Sequence, residues 1–137
     1  MRGKELQEAI YAALTGDVTL MALITGVYAD IQQPNLPEDD SNFPYVVIGA
    51  DNLAEDSTKT DNGVRALVQI DVWSRQNNLT EAKDVGTAVY NVLQKGSLAI
   101  TGAHHILTRA VGQDYSTDPD GHTKRGLLTF TVLYDEI

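Results

Sequence analysis

In the stretch V64-R-A-L-V-Q-I-D-V-W-S-R75 the apolar residues fall at every second position. Successive side chains of an extended chain point to opposite faces, so Val64, Ala66, Val68, Ile70 and Val72 share one side. Arg65, Leu67, Gln69, Asp71, Trp73 and Arg75 share the other. This alternation predicts a strand with one face on a core and the other toward solvent. It also sets the single tryptophan of the chain on the outward face, where an indole needs something to cover it.

A sheet with one apolar face needs helices to cover that face, and two segments have the matching stripe. Leu6, Ala9, Ile10, Ala13 and Leu14 recur at helical spacing, with Gly16 placed to end the helix. In R75-Q-N-N-L-T-E-A-K-D-V-G-T-A-V-Y-N-V-L-Q-K-G96 the buried stripe is Ala82, Val85, Gly86, Val89 and Leu93. Asn78 followed by Glu81 has the form of a capping box, and Lys95-Gly96 reads as the stop. Gly86 costs about 1 kcal/mol relative to alanine inside a helix, which points to close approach of this helix to the sheet. Asp17 to Ile24 reads as one or two further helical turns closed by Gly26.

The remaining strands are Val27 to Asp30, Y45-V-V-I-G-A-D51, H105-I-L-T-R-A-V-G112 and K124-R-G-L-L-T-F-T-V-L-Y134. The connection D51-N-L-A-E-D-S-T-K-T-D-N-G63 reads as a long polar loop between two antiparallel strands. D118-P-D-G121 is a tight-turn signal, so the last two strands form a hairpin. The expected fold is α+β: residues 1–137 as one domain, with a mostly antiparallel sheet and the two amphipathic helices on one face.

At 137 residues the chain is long enough to bury roughly two thirds of its unfolded surface. It has no cysteine, which removes disulfides, thiolate nucleophiles and thiolate metal sites. Ten basic against nineteen acidic residues give a net charge of -9, a field that repels phosphate backbones and disfavours tight nucleic-acid binding. No apolar run approaches the roughly 20 residues of a membrane span, and the first residues lack the apolar block of a signal peptide. Acid is concentrated in two stretches, Q33-P-N-L-P-E-D-D-S-N-F-P44 and Asp51 to Gly63. Both read as solvated loops whose charged residues, Glu38, Asp39, Asp40, Glu55, Asp56 and Lys59, are candidates for docking on a partner.

No catalytic or metal constellation is legible. S116-T-D-P-D-G121 begins like a calcium loop, but Leu127 occupies the position where a bidentate glutamate is required, and Lys124 and Arg125 would repel a cation. His104 and His105 are adjacent on a strand and point to opposite faces. There is no G-x-S-x-G elbow and no phosphate-cradling glycine loop. Asn78-Leu79-Thr80 fits a glycosylation acceptor, yet the helix start explains it better. No cofactor is expected.

The order of the pieces is more specific than any one of them. L6-Q-x-A-I-Y-x-x-L14, T19-L-M-A-L-I24, Val27-Tyr28, F43-P-Y-V-V-I-G49, I70-D-V-W-S-R75, E81-A-K-x-V-x-x-A-V-Y-x-x-L93 and D118-P-D-G-x-x-x-R125 follow one another across nearly the whole chain. Together they resemble the tail-completion proteins of long-tailed bacteriophages and prophages. The resemblance implies a structural virion protein and no enzyme: a small α+β subunit that joins copies of itself into a ring of six. The ring would cap the head-proximal end of the tail, with the tail tube protein and the neck connector as partners. It leaves a neck or head-closure subunit as the alternative within the class. A regulatory domain binding a small molecule and a hydrolase stand as alternatives of other classes. On this reading Gln69, Asp71, Trp73 and Arg75 face a neighbouring subunit, with Trp73 as the apolar anchor; the alternative is an indole folded back over the sheet end of its own subunit, beneath the loop from Arg75 to Asn78.

Overall fold

The computed structural model describes residues 1–29, 43–94 and 96–137. Among these described residues three helices and five strands follow in the order α1 (Gly3–Thr15), α2 (Val18–Met21), β1 (Val27–Tyr28), β2 (Tyr45–Glu55), β3 (Asn62–Ser74), α3 (Thr80–Leu93), β4 (Ala103–Thr117) and β5 (Lys124–Glu136). The strands form one sheet in the order β1-β2-β3-β5-β4. Only the β1–β2 pair is parallel; β2–β3, β3–β5 and β5–β4 are antiparallel. The class is α+β, as the alternation and the helical stripes predict.

β3 is the centre of the sheet, and its inward row sets the core. Val64, Ala66, Val68 and Ile70 pair with Tyr134, Val132, Phe130 and Leu128 of β5. All eight are buried in one cluster with Leu6, Ala9, Ile10 and Leu14 of α1 and Ala82, Val85, Val89 and Leu93 of α3. Cross-strand partners share a sheet face, so the inward rows of β3 and β5 meet both helix stripes on the same side. Burying each of the valine, leucine, isoleucine and phenylalanine side chains stabilises the fold by about 1.5 to 3 kcal/mol. The phenol of Tyr134 lies under the chain's first residue and donates to the Met1 carbonyl. The Met1 ammonium pairs with Glu136 at 3.0 Å.

α1 ends where the glycine is, with the Gly16 N–H on the Ala12 carbonyl at 3.0 Å. Asp17 caps α2, its carboxylate accepting from the Leu20 N–H at 2.9 Å. α3 starts later than the capping-box pattern implies. Asn78 Oδ1 takes the Thr80 N–H at 2.9 Å, but Glu81 turns away from Asn78 and accepts from the Ser74 hydroxyl at 2.7 Å. The helix entry is thus tied to the end of β3. Gly86 does mark a close approach. A Cβ there would collide with the hydroxyl of Tyr115 on β4, and one on Gly126 of β5 would meet the same ring at 2.8 Å.

Two strands run further than the sequence pattern shows, and bulges are the reason. The expected loop from Asp51 to Gly63 is strand at both ends, leaving only residues 56–61 as the connection. Ile48 pairs with Ile70 and Asp51 with Val68, so Gly49 and Ala50 together oppose Gln69. A two-against-one bulge shifts the alternation by one residue. Beyond it Asp51, Leu53 and Glu55 sit on the helix side, and Leu53 packs against the core. β4 spans Ala103–Thr117 instead of His105 to Gly112, with register shifts at Ile106 and at Val111. The predicted hairpin between β4 and β5 is present. Gly121 takes a φ of 72°, and the Asp118 N–H reaches the Thr123 carbonyl at 2.8 Å.

Candidate functional site

The outward row of β3 runs across the middle of the uncovered sheet face. Its register fixes the neighbours: Trp73 lies between Tyr45 and Arg125, Asp71 between Val47 and Leu127, Leu67 between Asn52 and Thr131, Arg65 between Ala54 and Leu133. Gln69, Asp71, Trp73 and Arg75 therefore belong to one surface region, as the alternation implies. Their exposure differs from the expectation. Trp73 is only 8% exposed, and with Tyr45 and Val47 it forms a second, small core outside the main one. Its cover is the subunit's own.

That cover is aromatic and cationic. The Tyr45 ring meets Tyr28 edge-on at 5.8 Å and Phe43 at 5.0 Å. The Arg125 guanidinium stands 5.3 Å from the indole centroid, within the range of a cation–π contact. Its Nη2 donates to Asp71 Oδ1 at 3.2 Å. Arg75 lies over Phe43 at 4.5 Å, and its Nε donates to the Thr123 hydroxyl at 3.3 Å. Thr123 in turn donates from both its N–H and its hydroxyl to Asp120, each at 2.8 Å. The end of β3 is therefore clamped to the start of β2 and to the β4–β5 turn by one connected set of side chains. The indole N–H and the Arg125 Nε–H are buried without a partner among the described residues.

Beyond this clamp the face opens. Leu67 is 41% exposed, and Gln69, Leu127, Thr129, Thr131 and Leu133 around it are half-buried. Glu55, Asp56 and Lys59 are exposed at the β2–β3 connection, at the other end of β3 from Trp73. Trp73 is nine residue steps along the strand from Val64, roughly 30 Å at about 3.3 Å per step. The structure thus separates these three from the Trp73 group. Glu38, Asp39 and Asp40 lie outside the described residues.

Sequence reasoning missed the surface of β4. Ile106 is 57% exposed and Val111 61%, and each is the residue left unpaired at one of the two bulges. The signal was in H105-I-L-T-R-A-V-G112, where neither parity gives a clean apolar row; a broken alternation inside a β-branched run is how a bulge reads.

The described residues assemble nothing resembling a reaction centre. No group of three or more His, Cys, Asp or Glu among them could hold a metal ion. His104 is exposed, whereas His105 is half-buried and shares a 2.7 Å hydrogen bond with Thr108. Burial lowers the pKa of His105. Asp120, the acid of the would-be calcium loop, is held at a pKa of about 2 by the Thr123 and His122 N–H groups and the Thr123 hydroxyl. Those bonds occupy the carboxylate oxygens that a cation would need. No helix among the described residues is long and apolar enough to cross a membrane.

What the described residues offer is surface: a sheet with one face covered by helices, the other face uncovered by them, and a long strand, β4, at one edge. The comparisons with known proteins agree with a structural role. The profile of the family described as "Tail completion protein gp17" matches residues 8–135. The tail completion protein gp17 of Bacillus phage SPP1 is 28% identical over 134 residues, which cover 96% of this chain and 95% of that protein. A chain of the virion of a native gene transfer agent particle superposes with a TM-score of 0.86 at 24% identity, covering 98% of this chain and 97% of its own. At that identity the likeness is one of fold.

Proposed function

The chain belongs to the tail completion protein gp17 family, and on that premise we propose that it is the tail terminator of a phage or phage-like particle. Copies of it close into a ring of six at the head-proximal end of the tail. One side of the ring seats on the tail tube protein and the other receives the neck connector. The observation that carries this reading is the family match over residues 8–135, nearly the whole of this chain. On this reading the protein is a structural part of the virion tail and not an enzyme. Its net charge of -9 fits a ring through which DNA must pass without being held.

The role is tested by adding the purified chain to isolated tail tubes and to DNA-filled heads, and examining the mixtures by electron microscopy. Rings at one tip of the tubes, and heads joined to tails only when the chain is present, are the expected outcome. A chain that binds heads and ignores tubes is instead a neck or head-closure subunit. Binding to neither, with a melting temperature raised by a metabolite, returns the reading to a regulatory domain.

A further inference from the structure

The start of β4 holds a contact that a regular strand cannot make. Side chains three residues apart in an extended chain point to opposite faces, yet His105 Nε2 and Thr108 Oγ1 lie 2.7 Å apart. The extra residue between them is Ile106. His105 pairs with Tyr134 and Leu107 with Leu133, so Ile106 has no partner on β5 and the alternation shifts by one. His105 and Thr108 are thereby both brought to the helix-covered side of the sheet, opposite Tyr134 and Val132 of the core row. Their bond spans the bulge and ties its two sides together, while Ile106 is left 57% exposed.

The two ends of the bond sit in different surroundings. Thr108 is 1% exposed. His105 is half-buried and borders a hollow of about 340 Å³, lined also by Ser97, Thr101 and His104 and by no aspartate or glutamate. The ionisable groups on the elements around it are engaged elsewhere or are basic. On β5, Tyr134 donates to the Met1 carbonyl, and Glu136 holds the Met1 ammonium at 3.0 Å. Asp135 pairs with His104 and belongs to the opposite face. At the start of α1, Glu5 is paired with Arg2 at 3.4 Å, and the Arg2 guanidinium lies against Gly102, where it would repel a second positive charge. Between Asp84 and Asp114 the chain has no acidic residue, and its charged residues there, Lys95 and Arg109, are both basic.

We infer that the His105–Thr108 bridge is a pH-sensitive latch on the first residues of β4: it holds the bulge closed while the ring is neutral and releases it when the ring takes a proton. Charging a half-buried imidazole costs desolvation, and no carboxylate is placed to offset that cost. The imidazolium regains water by swinging into the hollow, away from Thr108. Ile106 then loses the staple across its bulge, and β4, as the last strand of the sheet, has only β5 to hold it. Burial lowers the pKa of His105, so the opened strand binds the proton more readily than the closed one. Opening is therefore favoured as pH falls through the free-histidine value of about 6.5, by at most about tenfold per pH unit for a single proton.

The latch is read residue by residue in the intact chain by NMR, from about pH 7.5 to about pH 5, a range in which histidine is the side chain that ordinarily titrates. His105→Gln keeps a group able to bond Thr108 and removes the proton-binding site; His104→Gln is its neighbour control. In the wild type the His105 ring should titrate below about 6.5, and amide protection over residues 104–108, corrected for the intrinsic pH dependence of exchange, should fall with pH by up to about tenfold per unit while β3 stays level. His105→Gln should show level protection and His104→Gln the wild-type fall. A His105 ring that titrates at or above about 6.5 in the wild type would overturn the latch without need of any variant. So would level protection in the wild type, and so would a fall in His105→Gln parallel to that of the wild type, which would assign the acid response to another group.

Discussion

Trp73 shows how a correct face assignment can still mislead about exposure. Alternation places it opposite the helices, and there it is, but Tyr45 and Arg125 on the flanking strands close over it. Truncating a buried tryptophan costs about 3 to 5 kcal/mol. We therefore expect Trp73→Ala to lower the stability of the single subunit by that amount in a denaturant titration, before any effect on assembly. An unchanged midpoint would mean that the indole is held by a neighbour and not by its own chain. Gly86 argues in the opposite direction from propensity. Replacing a mid-helix glycine by alanine ordinarily gains up to about 1 kcal/mol, but here the added methyl collides with the Tyr115 hydroxyl between α3 and β4. Overpacking costs about 1 to 3 kcal/mol, so Gly86→Ala should destabilise. Adding Tyr115→Phe removes the atom it strikes and should recover part of the loss. Additive effects of the two substitutions would show that the ring is not what limits the site.

Among the elements, the β4–β5 turn is the one whose chemistry predicts a pH response. Asp120 takes hydrogen bonds from the Thr123 and His122 N–H groups and from the Thr123 hydroxyl, which hold its carboxyl at about 2. A carboxyl whose pKa is depressed by folding lends stability above its unfolded value near 4, and this is lost as pH falls through the folded value. The stability of the wild type should therefore decline between about pH 4 and pH 2 more steeply than that of Asp120→Asn, followed by thermal melts across that range; parallel profiles would sink the assignment. The turn was legible because D118-P-D-G121 is a local signal, as were the Val64 to Val72 row and the stripes of α1 and α3. What the sequence hid was non-local. Past the bulge at Gly49 the apolar parity of β2 changes, so Leu53 of the core looks like part of a polar loop. The bulges at Ile106 and Val111 disguise the ends of β4 in the same way. The row Gln69, Asp71, Trp73 and Arg75 was readable as one surface, but its partners Tyr45 and Arg125 come from pairings set across 28 and 52 residues of chain, which no local window contains.

For the whole molecule the decisive quantity is charge, because six subunits of -9 each must sit side by side on the proposed reading. A chain of this length has a radius of gyration of about 14 Å, so neighbouring centres stand roughly 30 Å apart. At about 0.01 M salt the screening length is about 30 Å, and each subunit still feels a substantial part of the excess charge of its neighbours; at about 0.15 M it is about 8 Å, and that repulsion is largely gone. Attractive contacts between subunits respond to salt less: burial of apolar side chains is indifferent to modest salt, and an exposed ion pair contributes at most about 1 kcal/mol. Long-range repulsion is therefore the larger salt-dependent effect, and raising ionic strength from about 0.01 to 0.15 M should increase the assembled fraction. Sedimentation velocity at constant protein concentration across that range reads the outcome directly. A ring fraction that falls as salt rises would mean that ion pairs, and not buried side chains, hold the subunits together.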